Sequence, residues 1–576
     1  MNYCKNPINV IDAGKERAWK GYPDILEALR RETALRAEKG RCVIAVETYP
    51  GVNDSELVEA LRTLNPALFV DTRETLCTKE EFRRRIQPFL TDDRVFGRMY
   101  YGEFSDFQIA EAIDALRERV NGCGGLVIIY GMGAASLTDI DILVYADMAR
   151  WEIQQRFRRG MSDFYTDNAD EDVLKKFKQG YFFEWRIADK IKRSLYDRID
   201  FYLDTNRADD PSMICGETFR RGLRQIARRP FRTVPYFDPG VWGGQWMKKI
   251  CGLDPSAKNY AWSFDGVPEE NSIYMSVNGI LVESPAINLV FYCPIELLGE
   301  QVYARFGAEF PIRFDFLDTM DGQNLSLQVH PLTDYIHNNF GMAYTQDESY
   351  YILDAKEGAQ VYLGLKEDVC PEEMIGGLRA AQSGEKLFDA DRYVNRFPAK
   401  KHDHFLIPAG TVHCSGSGCM VLEISATPYI FTMKLWDWGR LGLDGRPRPI
   451  HIDHGEKVIK WERRTEWVRK NLVDRTCLLE ENDDYTVEHT GLHELEFIET
   501  RRYTIRTVCD FDTDGNLNML NLVEGEAAVV ESPDEAFAPY TVHYAETFII
   551  PASVGRYTIR PLGNEPIKVI CAYVRK

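Results

Sequence analysis

Three short segments carry residues whose types and spacing suit metal chemistry: SLQVHP (326–331), QDESYYIL (346–353) and IPAGTVHCSGSG (407–418). In an extended strand, side chains two positions apart face the same side, so Gln328 and His330 project together while Val329 turns away. Glu348 precedes the apolar run SYYIL. His413 follows a Pro-Ala-Gly turn that ends one strand and begins the next. Two imidazoles, one carboxylate and one amide oxygen make a donor set for one borderline divalent ion such as zinc, with positions left open for water or a substrate oxygen. The same spacing also fits a satisfied pair in a core, because histidine is common there too. All 10 histidines lie at or after His330, so histidine chemistry belongs to the second half of the chain.

These residues need strands to hold them, and the chain supplies two textures. Over 41–230, short β-branched runs alternate with helical patterns. RCVIAVE (41–47), ALFVDT (67–72), GGLVIIYG (124–131) and DILVYAD (141–147) read as strands, and SELVEALRTL and DFQIAEAIDALRERV as helices. This alternation predicts a parallel α/β sheet. From 231 on, IRFDFLD, LSLQVHP, SYYILDA, AQVYLGL, DHFLIPAG, CMVLEISA and YIFTMKLWDW are strand candidates spaced by turns, the pattern of an all-β barrel or jelly roll. A helical insertion near 370–397 interrupts it. A charged helical stretch at 455–475 reads as a linker, and the strands after it form a smaller β-barrel. The fold class expected is therefore multidomain: an N-terminal α/β domain (1–230), a β jelly-roll domain with a helical insertion (231–465), and a C-terminal degenerate β domain (466–576).

The chain has 576 residues, too many for one core, and a net charge of −19, which argues against a large nucleic-acid surface. It has no run of 18 apolar residues, so no membrane span is expected. Its N-terminus lacks an apolar segment of signal-peptide type. The 13 cysteines are scattered without a CxxC pair, a reduced cytoplasmic set.

The first strand-turn-helix stands where a phosphate-binding P-loop would stand. With Ser55 as the closing residue, the loop pattern requires glycine, glycine and lysine where this chain has Thr48, Asn53 and Asp54. Asp54 repels phosphate where a lysine would attract it. DILVYADMARWEIQQRFRRG, with Arg150, Arg156, Arg158 and Arg159, is similar to the lid region of nucleoside kinases. The domain reads as P-loop-kinase-like without a working phosphate loop, or as an unrelated α/β accessory domain whose arginines are a solvated helix face.

The segment from about Val241 to Lys457 resembles the type I phosphomannose isomerases, zinc enzymes of the cupin superfamily. The matching pieces come in one order: GVWGG (240–244), FPIRFDFLDTMDGQNLSLQVHP (310–331), Glu348 before a strand, VYLGLKEDV (361–369), the helical insertion, FLIPAGTVHCSGSGCMVLEIS (405–425), DWGR (437–440) and RPRPIHID (446–453). The resemblance implies one Zn2+ per chain on Gln328, His330, Glu348 and His413, an active-site glutamate at Glu423, and a pocket wall at Trp242. It implies interconversion of mannose 6-phosphate and fructose 6-phosphate, or of a closely related sugar, through an enediol, with a small sugar or sugar phosphate as ligand; no nucleic-acid or membrane partner is expected, and the oligomeric state stays open. It implies no ligand role for His402 and His404. His451 and His454 read as structural. His489, His493 and His543 form no H-x-H…E…H set, so no second metal is expected.

Two positions depart from the family pattern. Gln346 stands where the family has a lysine two residues before the metal glutamate, and Lys434 stands nearest to an active-site arginine. Lys434 and Arg440, with Arg446 and Arg448, either rebuild a catalytic and substrate-binding anion site or are solvated charges, and lysine does not replace arginine where an anion is held bidentately. Two further functions stay open on this pattern: a metal- and sugar-binding regulatory protein without turnover, and a bifunctional kinase-isomerase.

Overall fold

The β-branched runs of the first 226 residues form the sheet their alternation with helices predicts. The structure, a computed structural model, describes residues 2–37, 40–429, 431–491 and 493–575. It divides into two compact units: Ile8–Ile226 with Ser272–Tyr292, and Met1–Pro7 with Ala227–Asn271 and Cys293–Lys576.

In the α/β unit, Leu68–Asp71, Gly125–Tyr130, Arg41–Thr48, Ile142–Asp147 and Phe201–Asp204 lie side by side in parallel, so the five strands are ordered second, third, first, fourth, fifth. Ser212–Cys215 and Ala18–Lys20 add antiparallel strands at one edge. Arg41–Thr48 is buried along nearly its whole length, as a central parallel strand with both faces covered must be. The helix Asp54–Arg62 leaves the end of that strand and packs Leu57 and Leu61, one turn apart, into the core. The hairpin of Ser272–Val277 and Ile280–Pro285 groups with this unit, although it lies beyond the expected boundary at 230. Its first strand pairs in parallel with Ile8–Val10, a pairing between segments more than 260 residues apart.

The second unit begins with the jelly roll. One antiparallel sheet runs His404–Ile407, Asp347–Ala355, Cys419–Ala426, Ile312–Asp318, Trp262–Gly266, Tyr236–Asp238. The other runs Val394–Pro398, Gln360–Leu365, His413–Ser415, Leu327–Val329, Met433–Trp436. The helices Pro371–Gln382 and Ala390–Tyr393 form the insertion, and Ile452–Val458 and Thr465–Leu472 follow the last strand. Residues 477–574 make a second pair of antiparallel sheets, of six and four strands, around a core that includes Leu520, Val530, Phe548 and Val569.

Directly opposed residues in antiparallel strands share a face. Register places Asp315 opposite Glu423, Glu423 opposite Tyr350, and Glu348 opposite Ser425. Arg313, Asp315, Glu348, Glu423 and Ser425 therefore line one face of the six-stranded sheet, while Phe314, Phe316, Leu422 and Ile424 line the other. The other sheet opposes Gln328 to His413 on one side and to Lys434 on the other, so these three also share a face.

Candidate metal centre

The strand Leu327–Val329 carries Gln328 and delivers His330 just past its end. His413 opens the strand His413–Ser415, and Glu348 lies inside Asp347–Ala355, one residue into the strand rather than before it as expected. Ligand atoms of His330, Glu348 and His413 lie within 4.8 Å of one another, and all three residues are buried. Among the described residues no other cluster of three or more histidine, cysteine or carboxylate groups has metal-holding geometry. Gln328 reaches the same point, with its Nε2 3.2 Å from His413 Nε2.

The imidazole orientations carry the chemical argument. His330 Nδ1 lies 2.9 Å from Phe431 O, and His413 Nδ1 lies 2.9 Å from Thr411 O. A backbone carbonyl only accepts, so each Nδ1 carries the proton and each Nε2 presents a lone pair. Those lone pairs face Glu348: His330 Nε2 is 3.1 Å from Oε2 and His413 Nε2 is 2.8 Å from Oε1. His330 Nε2 and Glu348 Oε1 make no hydrogen bond despite these distances. Acceptors converging in a buried space require a cation or a proton between them, and backbone-oriented imidazoles are the usual outer support of a metal site. The residues present thus fit a divalent ion.

Glu423 points inward beside this cluster, 6% exposed. Its Oε1 accepts from Ser425 Oγ at 3.0 Å and from Gln346 Nε2 at 3.1 Å. Burial first, then the charges of Glu348 and Asp315, raises its carboxyl well above the ordinary value. Gln346 is 1% exposed and fully engaged: Nε2 also meets Glu348 Oε2 at 2.8 Å, and Oε1 accepts from Phe431 N at 3.0 Å. One neutral amide therefore ties a metal ligand, an acidic side chain and the segment that orients His330.

Lys434 stands opposite Gln328, and burial, followed by the charge of Arg448, pushes its ammonium down to about 7. Arg440 pairs with Asp437 at 2.6 Å, and Arg448 pairs with the same carboxylate at 2.9 Å. Ser326 Oγ donates to Asp437 at 2.7 Å. Arg440 and Arg448 thus gather around one buried carboxylate whose charge Lys434 also feels, and the two arginines are not separate solvated charges.

Other residues singled out from the sequence fall elsewhere. Trp242 is 0% exposed, packed edge-on against Trp262 with ring centroids 4.7 Å apart, so it offers no surface to a ligand in this state. His402 bonds Tyr351 Oη at 2.8 Å and Glu524 at 3.0 Å. His404 is buried against Tyr351 and Gly491. Two residues near the site escaped sequence reasoning. Arg463 Nη1 lies 2.8, 2.7 and 2.5 Å from Pro408 O, Ala409 O and Thr411 Oγ1, bracing the turn that positions His413. Glu496 is buried, and burial followed by the charge of Asp347 raises its carboxyl well above the ordinary value.

In the α/β unit, two of the four arginines of the 150–159 run are buried rather than on a solvated face. Arg150 pairs with Asp189 at 2.5 Å. Arg156 donates to Gly51 O at 2.9 Å and Thr205 O at 2.8 Å, bracing the turn after the central strand.

Jelly-roll sheets closing over a two-histidine, one-carboxylate cluster define a β-barrel fold with a candidate metal centre, and comparison with known proteins agrees on the fold. The chain is 28% identical to a mannose-6-phosphate isomerase of Streptococcus mutans over 221 residues, 38% of this chain and 64% of that protein. It is 24% identical to the probable mannose-6-phosphate isomerase GmuF of Bacillus subtilis over 334 residues, 57% of this chain and 96% of the relative. The chain thus spans just under two thirds of the Streptococcus relative. A crystal structure of the mannose 6-phosphate isomerase from Bacillus subtilis superposes with a TM-score of 0.50 at 19% identity, covering 60% of this chain and 100% of that one. Residues 21–228 match a separate family, described as a domain of unknown function (DUF8485). The chain is homologous to the cupin-type mannose-6-phosphate isomerases.

Proposed function

We propose that this protein is a metal-dependent aldose-ketose isomerase acting on mannose 6-phosphate and fructose 6-phosphate, with one zinc ion on Gln328, His330, Glu348 and His413. The observation that carries this reading is the convergence of two imidazole lone pairs on Glu348 with the carboxyl of Glu423 on the same face. A zinc ion held there supplies Lewis acidity toward a sugar oxygen. The chain supplies the rest. Glu423 is the group that takes the proton from one of the two reacting carbons and returns it to the other, since its inward carboxylate is buried beside the cluster. Gln346 and Ser425 fix its Oε1. Lys434, Arg440 and Arg448 hold the phosphate, with Asp437 keeping the two guanidinium groups in place.

A sugar-binding regulatory role without turnover is the second reading, and Gln346 favours it by putting a neutral amide where the resemblance implies a cation. One experiment separates the two. Purified protein is assayed for mannose 6-phosphate turnover before and after chelation, beside His413→Ala, with metal content measured on each. The isomerase reading expects turnover that follows metal occupancy and falls at least about 100-fold in His413→Ala, since loss of a metal ligand removes the centre. Stoichiometric metal without turnover on the phosphorylated or the free sugar rejects it, and sugar binding under those conditions establishes the second reading.

A further inference from the structure

The α/β unit contains a cleft of 560 Å³ that the chemistry above does not use. It lies at the carboxyl ends of the first, second and third parallel strands, walled by residues 48–55, by Thr72 and Arg73, by 130–132 and by the loop 161–167. Open α/β sheets bind their ligands at this end of the strands.

The wall is not built for an anion. Its two cations are already engaged: Arg73 pairs with Asp71 at 2.5 Å and with Asp54 at 2.9 Å, and Lys79 pairs with Asp167 at 2.7 Å. Asp54 also accepts from Tyr130 Oη at 2.6 Å. The helix that starts here carries Asp54 and Glu56 in its first turn, so its positive end is already answered by acid. What the wall leaves open is hydrogen-bonding capacity. Asp163 is 4% exposed, with Oδ2 held by Asn168 Nδ2 at 2.6 Å and Oδ1 taking no hydrogen bond. Thr72 is 0% exposed and its Oγ1 has no partner. A carboxylate offers about four lone-pair sites, so Asp54 and Asp167 keep acceptor capacity beyond their present partners. Phe164, Tyr165 and Tyr130 add aromatic surface between these groups.

We propose that this cleft is a binding site for a neutral polyhydroxylated small molecule, whose hydroxyls donate to the carboxylates and whose C–H face lies on the aromatic rings. Hydroxyl acceptors interleaved with aromatic rings suit a ligand that is polar at its edges and apolar on its C–H face. The same diol chemistry occurs in a free hexose and in the ribose of a nucleoside, and the test separates them.

Hydrogen exchange is followed on the full-length protein with D-mannose, uridine, ATP and inorganic phosphate in turn, together with calorimetric titration. The expected result is slowed exchange in residues 48–55 and 161–167 with mannose or with uridine, and none there with phosphate or ATP. Mannose alone identifies a hexose site, and uridine alone a nucleoside site. Asp163→Asn removes the open acceptor and Ser162→Trp fills the cleft from its half-buried loop. Each is expected to weaken that binding at least tenfold, so either variant suffices if the other does not fold. Absence of protection by both polyols overturns the proposal. So does protection of these segments by ATP or phosphate, and so does binding that survives both substitutions.

Discussion

His330 and His413 each spend Nδ1 on a backbone carbonyl, and this fixes what their Nε2 atoms can do. Gln346 works differently, spending one amide on Glu348, Glu423, Ser425 and the Phe431 backbone together. Truncating it frees the Glu423 carboxyl from its place without removing a metal ligand. Gln346→Ala is therefore expected to keep stoichiometric zinc and lose about 10- to 100-fold in kcat, the usual scale for losing a group that orients a metal-site side chain, as read by metal analysis and steady-state kinetics on one preparation. The inward placement of Gln346 is what the period-two rule that paired Gln328 with His330 gives when it is extended one residue before the strand that carries Glu348. Its bridging role was not legible, since the partners Glu423 and Phe431 come from distant segments. His404 gives a second prediction at this scale. Burial, then the charge of Arg502, pushes its imidazole down to about 3. The folded state thus disfavours its protonation, while the unfolded chain protonates near pH 6.5. Stability from this group is complete above pH 6.5 and falls as pH drops from there toward about 3, by up to ~1.4 kcal/mol per pH unit. Denaturant midpoints at pH 7 and pH 5 should differ less in His404→Phe than in the parent protein.

At the scale of elements, the Pro-Ala-Gly turn before His413 shows how far local sequence reaches. Gly410 sits at φ +89° and its N–H donates to His330 O at 3.0 Å, so this turn binds one metal-ligand segment while launching the other. A Cβ there would stand 2.6 Å from Lys460 Cγ. The glycine was readable as a turn signal, but its clamp was not. Arg463 lies some fifty residues later, on the connection between two helices that sequence alone marked as a charged linker. No periodicity links a linker arginine to a turn in another segment. Replacing Arg463 by alanine takes the side-chain donor from the Ala409 carbonyl, while Pro408 O keeps its bonds from Thr411, and an unsatisfied buried carbonyl costs about 1–3 kcal/mol locally. The expected result is roughly 10-fold weaker zinc binding, measured by chelator competition, with the four ligands intact. A smaller effect on zinc than on thermal stability would show that the clamp serves the fold alone.

Across the whole molecule, composition and texture separated an α/β part from a β part, because helix and strand periods differ within short windows. The strand order of the parallel sheet and the return of Ser272–Tyr292 to the α/β unit depend on pairings between distant segments, which no window contains. Each unit has its own core: Ile44, Val46, Ile128 and Val144 in one, and Leu520, Val530 and Val569 in the C-terminal barrel of the other. A ligand stabilises the state that binds it, by about 4.1 kcal/mol at 1,000 times its dissociation constant. All four proposed zinc ligands belong to Cys293–Lys576. Chelation is therefore expected to speed amide exchange at Val329, Ser349 and Cys414, on the strands that carry the ligands, while the amides of Val43–Val46 and Ile128 keep their protection. Equal acceleration in both sets would mean that the metal stabilises the chain as one cooperative unit, and protection unchanged everywhere would mean that the strands hold their arrangement without it.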